Sequence, residues 1–470
     1  MLKTMTEFMT PQAGTHNRAW LKPWTEEARA LLKLAGPLIA MQLAQMGSIT
    51  ADVIMVGALG KEALAATSIG AVMFYFAWLG GYGPVAAVSP IVSQILGAHP
   101  NDRARARAAV RMGLWAVAFI SLPLMTFLIW SKPVLLALGQ KPEIVAMAAP
   151  WTHIVALGLP FALGFGVLRN FASSVGRQHA VLTISVLTLL FNIALNYVLI
   201  YGHFGAPKMG VLGAATASAC AYLFSFVAML GVVLWAPGFR KYHLLHRFGR
   251  PDWEKFREIF RLGAPMGMSM IFEAMLFNSA TLIMGTFGAA SVAANQIALN
   301  IGSLTFMVPL GIGLAATVRV GLAAGARDTE GARLAGYTAM VCGAGFVLLC
   351  AVIIAIVPEA LVGLYIPLSV AENAEVVGLA VTFLYLVAIF QLFDALQVTG
   401  QMSLRGLKDA NAPMWIAGLS YWLVGFTLAW GLAFWAGMQG LGVWIGLASG
   451  LAAAAFGMVL RFEILSRRQL

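Results

Sequence analysis

Long apolar runs, each separated from the next by a short polar break, occupy most of this sequence. A run of about 20 apolar residues can cross a bilayer as an α-helix, because a helix satisfies its backbone polar groups internally. Only 10% of the residues are charged, against roughly 25% in soluble domains. The sequence therefore predicts an all-α integral membrane protein.

Twelve transmembrane helices are predicted from these runs. They lie near residues 32–57, 63–96, 109–130, 146–168, 180–201, 210–235, 262–287, 290–318, 335–357, 376–398, 414–436 and 441–460. The second and eighth runs are longer than one bilayer crossing, so we expect them to extend into the cytoplasm.

The basic residues test this helix map, because Lys and Arg collect in cytoplasmic segments. With both termini in the cytoplasm, all but four of the 30 basic residues fall on that side. The exceptions are Lys61, Lys132, Lys141 and Lys208. The same bias accounts for the net charge of +11, so we expect a lipid bilayer, and not nucleic acid, as the partner.

The two halves of the sequence resemble each other. At a constant shift of 228 residues, Pro37 and Gly57 fall on Pro265 and Gly285 without a gap. Six helices return the chain to the same side, so the repeat is parallel, with its pseudo-symmetry axis along the membrane normal. Two such six-helix bundles suit transport by alternating access.

Five segments follow from the helix map and the repeat. We predict a cytoplasmic N-terminal tail at 1–31, an N-lobe at 32–235, a basic cytoplasmic linker at 236–261, a C-lobe at 262–460 and a cytoplasmic tail at 461–470.

Three of the 19 acidic residues lie well inside the predicted spans: Asp52, Glu273 and Asp394. A charged side chain at the centre of a bilayer costs about 2.5–3.5 kcal/mol on insertion scales. One explanation is a protonated carboxyl bonded to its neighbours. The other is a site that binds protons, metal cations or cationic substrates.

Polar residues of the N-lobe favour a cation site around Asp52. Asn192 and Asn196 are four residues apart, so they share one helix face. Thr216 in helix 6 supplies a further hydroxyl, and Gln45 lies on the same helix as Asp52. Hard cations such as Na⁺ prefer carboxylate, carbonyl and amide oxygens.

The C-lobe carries a different set of polar residues. Under the shift of 228, Glu273 falls on Gln45, and Asp52 falls on Ala280, so the two halves do not carry equivalent acids. Further polar side chains of this half include Asn278 and Gln296.

Motifs of several other protein classes are missing from the sequence. It has no GxxxxGK[ST] phosphate loop, which argues against direct use of ATP. It has no nucleophile elbow, and its histidines and cysteines lack the spacing of a transition-metal site. We therefore expect neither an enzyme nor a bound cofactor.

Four stretches resemble the multidrug and toxic compound extrusion family, in particular its NorM-type bacterial branch. They read PLIAMQLAQMGSITADVIMVG at 37–57, FNIALNYVLIYG at 191–202, PMGMSMIFEAMLFNSATLIMG at 265–285 and FQLFDALQVTGQMSLRGL at 390–407. The resemblance covers about residues 30–460.

This resemblance implies a monomeric multidrug efflux pump of the bacterial inner membrane, which exports cationic, aromatic drugs and dyes in exchange for Na⁺ or H⁺. It also implies the residues of two cation sites. In the N-lobe these are Asp52, Asn192, Asn196 and Thr216, and in the C-lobe they are Glu273 and Asp394. Some family members carry a tyrosine one turn before the last of these acids, where this sequence has Phe390.

Three alternative functions are kept. Flippases for lipid-linked sugars belong to the same superfamily, but their phosphate substrates favour a cavity rich in Arg or Lys. An ion channel needs a continuous pore, which two repeated lobes suit poorly. A membrane-embedded enzyme needs a catalytic constellation that this sequence lacks.

The charge distribution makes the topology testable. Single cysteines introduced at Lys132 and Lys208 are expected to react with a membrane-impermeant thiol reagent added outside the cell. Cysteines at Arg105 and Arg250 in the same cysteine-free background are expected to stay unlabelled until the cells are opened. Protection of either Lys132 or Lys208 would show that the helix map is wrong.

Overall fold

Long helices joined by short connections make up the computed structural model, which describes residues 21–467. Residues 1–20 and 468–470, which hold most of the predicted N-terminal tail and the end of the C-terminal tail, lie outside the described residues. The long helices are α1 (Leu21–Gly57), α2 (Lys61–Ala98), α3 (Arg103–Ile129), α4 (two arms, Pro142–Ala156 and Leu159–Ser174), α5 (Gln178–Tyr201), α6 (Val211–Trp235), α7 (Trp253–Gly285), α8 (Ala289–Gly325), α9 (Thr329–Ile356), α10 (Ala374–Gly406), α11 (Asn411–Trp435) and α12 (Gln439–Arg467). Short helices at Ser131–Ala137, Pro237–Arg240 and Pro358–Gly363 lie between them.

Eleven of the described helices are long and apolar enough to cross a membrane, and the two arms of α4 give a twelfth if they form one span. The predicted all-α membrane class is confirmed. The helix ends differ from the prediction where a helix continues into polar sequence, as at the start of α1 and the end of α8. Apolar content marks only the part of a helix that lies in lipid, so it misses such polar extensions.

Helix α4 bends by 44° between its two arms. Gly158 stands at the break, and Pro160 lies in the first turn of the second arm. Proline is tolerated there, because the N–H groups of the first turn have no partner within the helix. A Cβ at Gly158 would come within 2.9 Å of the Tyr222 ring of α6. Glycine therefore lets the bend lie against α6.

Helix α11 is the irregular member of the set. It is α-helical over Asn411–Leu419 and Thr427–Trp430, and it is π-helical over Ser420–Phe426 and Gly431–Trp435. Glycines of α12 pack closely on it, and a Cβ at Gly450 would lie 2.7 Å from the Gly425 Cα. Small residues let helix backbones approach in this way inside membranes.

The helices form two compact units. One contains α1 up to Ile39, α7 from Met275, α8 to α10, and α11 and α12 from Ile416. The other contains α1 from Ala40, α2 to α6, α7 up to Ala274, and Lys408–Trp415. The boundaries of these units thus fall inside α1 and α7. The predicted lobes at 32–235 and 262–460 stay a prediction.

A small apolar cluster in the second unit fixes the helices around Asp52. Val56 of α1 packs with Ala63 of α2, Ile200 of α5 and Ala214 of α6, and all four are buried. Because this cluster lies one turn beyond Asp52, it sets which faces of α5 and α6 meet the carboxyl group.

In the first unit, the start of α1 packs on α8. Leu34 and Leu38 lie in one buried cluster with Ile312 and Ala315. Beyond this cluster, the Nε and Nη2 atoms of Arg319 both donate to the Glu27 carboxylate, and the Nε–Oε1 distance is 2.7 Å. Both side chains are largely buried, so this pair holds the extension of α1 that apolar content did not reveal.

Replacing Glu27 with glutamine is expected to destabilise the protein, because it leaves the charge of Arg319 largely buried without its carboxylate. The loss should lie between the 0–1 kcal/mol of an exposed pair and the roughly 3–5 kcal/mol of a broken buried one. Thermal unfolding of the purified protein in detergent measures the change. E26Q, at the exposed neighbouring position, is the matched control and should not shift the midpoint. Equal midpoints for E27Q and the wild type would contradict a stabilising role for the pair.

Candidate cation-binding site

The carboxyl group of Asp52 sits where α1, α5 and α6 meet, and it accepts two hydrogen bonds. Asn196 Nδ2 donates to Oδ1, and Ser218 Oγ donates to Oδ2 at 3.2 Å. Asn192 Oδ1 accepts from the same Asn196 amide at 3.3 Å, which links the asparagine pair into one network. Asn192 and Asn196 are buried and Asp52 is half-buried.

The predicted grouping of Asp52 with Asn192 and Asn196 is therefore present in the structure. Thr216 is not part of it, because its hydroxyl donates to the Leu212 carbonyl of its own helix at 2.8 Å. Ser218 takes the place predicted for Thr216. Sequence reasoning missed this serine, although its spacing from the small residues Ala214 and Ala221, both buried, marks the buried face of α6.

The electrostatics of this network favour binding of a positively charged ion or group. Within residues 21–467, no Lys or Arg forms an ion pair with Asp52, and the buried Asn196 Oδ1 has no hydrogen-bond partner. A buried oxygen without a donor is a place where a cation or a protonated group gains free energy. The network can therefore hold a proton on the carboxyl group, or a small hard cation among carboxylate, amide and hydroxyl oxygens.

An aromatic row on α2 lies in the same unit. The rings of Tyr75, Trp78 and Tyr82 follow one another, with centroid separations of 6.3 and 4.8 Å. Tyr75 is exposed and interacts electrostatically with Glu273 of α7. Sequence reasoning missed this row, although residues spaced three and four apart along a helix share a face. Tyr75 is the exposed ring of this row, whereas Trp78 is half-buried and Tyr82 is buried. A carboxylate beside an exposed aromatic ring suits a cationic, aromatic molecule.

Asp394 lies on a second polar face, on α10 in the other unit. It is buried and engaged in polar contact, and Gln391 and Gln397 stand three residues to either side of it. Gln391 Oε1 accepts a bond from Thr305 of α8 at 2.8 Å. Gln397 is 0% exposed, and neither of its side-chain polar atoms bonds to any of the described residues. This face therefore offers unsatisfied polar atoms next to a buried carboxyl group.

Phe390 fills the position one turn before Asp394 with apolar contacts. Its ring packs edge-on against Phe277 at 5.9 Å and against Trp444 at 5.6 Å. No oxygen comes from this position, so the oxygens for a guest near Asp394 must come from elsewhere.

Three further predicted residues, Gln45, Asn278 and Gln296, are exposed, and their placement in a cavity stays a prediction. Asn278 has an interaction partner among the described residues. Within residues 21–467, no three His, Cys, Asp or Glu side chains are grouped to hold a metal ion. Amide and hydroxyl oxygens would therefore have to complete any sodium site.

The sequence model of the MatE family matches this chain twice, over residues 37–198 and 265–431. The chain belongs to the MatE family. The two matches begin at Pro37 and Pro265, the pair that the internal shift of 228 aligns, so the repeat found in the sequence is also the repeat of the MatE domain.

Relatives match the MatE chain over nearly its full length. A probable multidrug resistance protein NorM of Rhizobium meliloti (strain 1021) is 40% identical over 445 residues, which cover 95% of each chain. Another of the same name, from Pseudomonas aeruginosa, is 41% identical over 442 residues, covering 94% of this chain and 90% of its own. The NorM-type branch is thereby confirmed.

Solved structures show the same fold. The eukaryotic MATE transporter AtDTX14 superposes with a TM-score of 0.84 at 22% identity, covering 95% of this chain and 99% of its own. An outward-facing multidrug resistance MATE family transporter also gives 0.84, at 20% identity and with 97% and 99% covered. The MatE chain is thus a multi-pass membrane protein with the fold of these transporters.

Proposed function

We propose that this protein is a secondary antiporter of the bacterial inner membrane, which exports cationic, aromatic small molecules in exchange for Na⁺ or H⁺ by alternating access. The observation that carries the proposal is the Asp52 carboxyl group, held by Asn196 and Ser218 within a membrane helix and without a basic partner among the described residues. The names of the NorM relatives support drugs as the substrate class.

Each residue of the Asp52 network has a role in ion coupling. Asp52 supplies the charge that binds the ion, and Ser218 and Asn196 orient its two oxygens. Asn192 holds the Asn196 amide in place. Ion binding replaces a charged carboxylate with a neutral assembly, which lowers the free energy of that helix face inside the membrane.

The substrate has a separate set of contacts in this proposal. The exposed Tyr75 ring and the half-buried Trp78 ring offer stacking and cation–π contact, and Glu273 offers the opposite charge. Asp394 with its glutamine neighbours offers a second place for an ion or for a cationic drug. An acidic and aromatic lining favours a cationic drug over the phosphate of a lipid-linked sugar.

The energetics of exchange favour more than one coupling ion per drug. One cation entering at a potential of about 150 mV gains about 3.5 kcal/mol, and a tenfold inward gradient adds about 1.4 kcal/mol. Exchanging one monovalent drug cation for one Na⁺ is electroneutral, so only the chemical part remains and the drug gradient is limited to about tenfold. Polar sites on both α1 and α10 are compatible with two ions.

Replacing Asp52 with asparagine is expected to abolish ion-driven dye uptake by inverted membrane vesicles while the protein stays in the membrane, because the charge that binds the ion is lost. S218A should raise the Na⁺ concentration for half-maximal uptake, because the Ser218 hydroxyl is an oxygen next to the carboxyl group that can bind a metal cation. If the coupling ion is a proton, S218A should instead lower the required proton concentration by about tenfold, since a hydrogen bond to the carboxylate favours its ionised form by about 1.5 kcal/mol. T216A is the matched control and should behave as the wild type, because its hydroxyl bonds its own helix. Normal ion-driven uptake by D52N would overturn the proposed site.

Sodium is favoured over the proton as coupling ion, because the amide oxygens of Asn192 and Asn196 suit a metal cation and are not needed for a proton. A sodium gradient imposed alone on inverted vesicles is therefore expected to drive dye uptake. N196A should raise the Na⁺ concentration for half-maximal dye uptake by more than it raises the dye concentration for half-maximal uptake. Full transport from sodium-free vesicles under a proton gradient, unchanged when Na⁺ is added, would reverse the choice of ion.

A further inference from the structure

The segment that joins α6 to α7 is packed against the helix ends. Phe239, Tyr242 and Leu244 are each at most 2% exposed. The Tyr242 ring meets Phe171 of α4 edge-on, with centroids 5.1 Å apart. These contacts hold the backbone of the segment against the helix ends, and its exposed basic side chains project from that backbone.

Two arginines of α3 bind this segment through its backbone. Arg111 Nη1 donates to the Arg247 carbonyl at 2.7 Å, and Arg107 Nη1 donates to the Tyr242 carbonyl at 3.5 Å. These two guanidinium groups thus have a structural role as donors to carbonyl oxygens.

Four other basic residues at the same end of the helices lack such partners. Arg103, Arg177, Arg240 and Lys241 are exposed, and within residues 21–467 none of them forms an ion pair with a carboxylate. We call them the basic cluster. The Arg177 guanidinium packs over the Gly238 backbone, which brings it to the same turn as Lys241.

The cluster holds like charges together. Partial burial, and then the positive charges of Arg103 and Arg177, lower the pKa of the Lys241 ammonium group. Arg105, two residues after Arg103 on α3, instead pairs with Asp102 at 3.4 Å. Positive charges that lie close together repel one another, and an anion bound among them lowers this electrostatic free energy.

An open cavity of about 240 Å³ adjoins the basic cluster. Its lining is partly apolar, from Val233, Leu234, Leu244 and Leu245, and partly polar, from Arg240, His243 and His246. Trp235, at the end of α6, is 78% exposed, as expected for an indole at the level of lipid headgroups. A free phosphate ion gains nothing from an apolar wall, whereas a phospholipid does.

We propose that the basic cluster binds the phosphate-bearing headgroup of an anionic phospholipid of the cytoplasmic leaflet, with the adjoining part of its acyl chains against Leu234 and Leu245. The charge of the cluster selects an anionic over a zwitterionic lipid, and the packed segment presents it without a change of backbone. The positive-inside distribution places this end of the helices at the cytoplasmic leaflet.

Native mass spectrometry of the full chain in detergent, with added phosphatidylglycerol or phosphatidylcholine, tests this site. The wild type is expected to retain phosphatidylglycerol in preference to phosphatidylcholine. R177Q/K241Q should bind phosphatidylglycerol about 25-fold more weakly, from about fivefold for each of the two charges removed. R177K/K241R keeps the charges and should bind as the wild type does, which separates loss of charge from loss of fold.

The control K132Q/K141Q removes the same charge from the opposite end of the helices and should leave phosphatidylglycerol binding unchanged. Equal weakening by this control, or unchanged binding in R177Q/K241Q, would overturn the site. Displacement of the bound lipid by millimolar inorganic phosphate would overturn the choice of a lipid as its occupant. Preference for phosphatidylglycerol that is lost only in R177Q/K241Q would support the proposal.

Discussion

A polar group inside a membrane must find its partners within the protein, and this constraint governs the structure. Helices meet it for the backbone, and close contacts between small residues, as at Gly425 and Gly450, let helix pairs exclude lipid. Some side chains of the described residues do not meet it fully. Asp52 is bonded by an amide and a hydroxyl but not by a cation, and Gln397 is buried without a hydrogen-bond partner among the described residues. Such places suit the binding of ions and substrates, because a bound ligand supplies the hydrogen-bond or ionic partner that the protein does not.

The parts of the site that the sequence could predict are those fixed by helix geometry alone. Asp52 stands out because a carboxyl group is rare in an apolar run, and the four-residue spacing of Asn192 and Asn196 places both on one face in any helix. The contribution of α6 could not be obtained from chemistry alone. Thr216 and Ser218 are both hydroxyl residues two positions apart, so they point to nearly opposite sides, and only the face that packs decides between them. The small buried residues of α6 carry that information, because a tightly packed helix contact needs them.

The overall fold could be predicted from the sequence, but several of its local details could not. Apolar length and the distribution of charge gave the helix number, and the internal repeat coincides with the two matches to the MatE family. The extension of α1 is held by the Glu27–Arg319 pair, which joins residues far apart in sequence and which no local pattern reveals. The bend in α4 had a local signal in Gly158 and Pro160, yet both residues are common in membrane helices, so composition alone did not distinguish a bend from a straight span.

The π-helical turns of α11 have a consequence for how this helix tolerates changes in length. A π turn is an α-helical turn that accommodates one additional residue, and the side chains beyond it are rotated relative to an uninterrupted α-helix. Removing one residue from Ser420–Phe426 can therefore convert the turn to α-helix while the segment from Thr427 keeps its face towards α12. In a regular helix such as α5, the same deletion would turn every later side chain by about 100°. Helix α11 can therefore lose one residue within a π turn and keep its packing. In a regular α-helix, the same deletion would disrupt the packing of every later side chain.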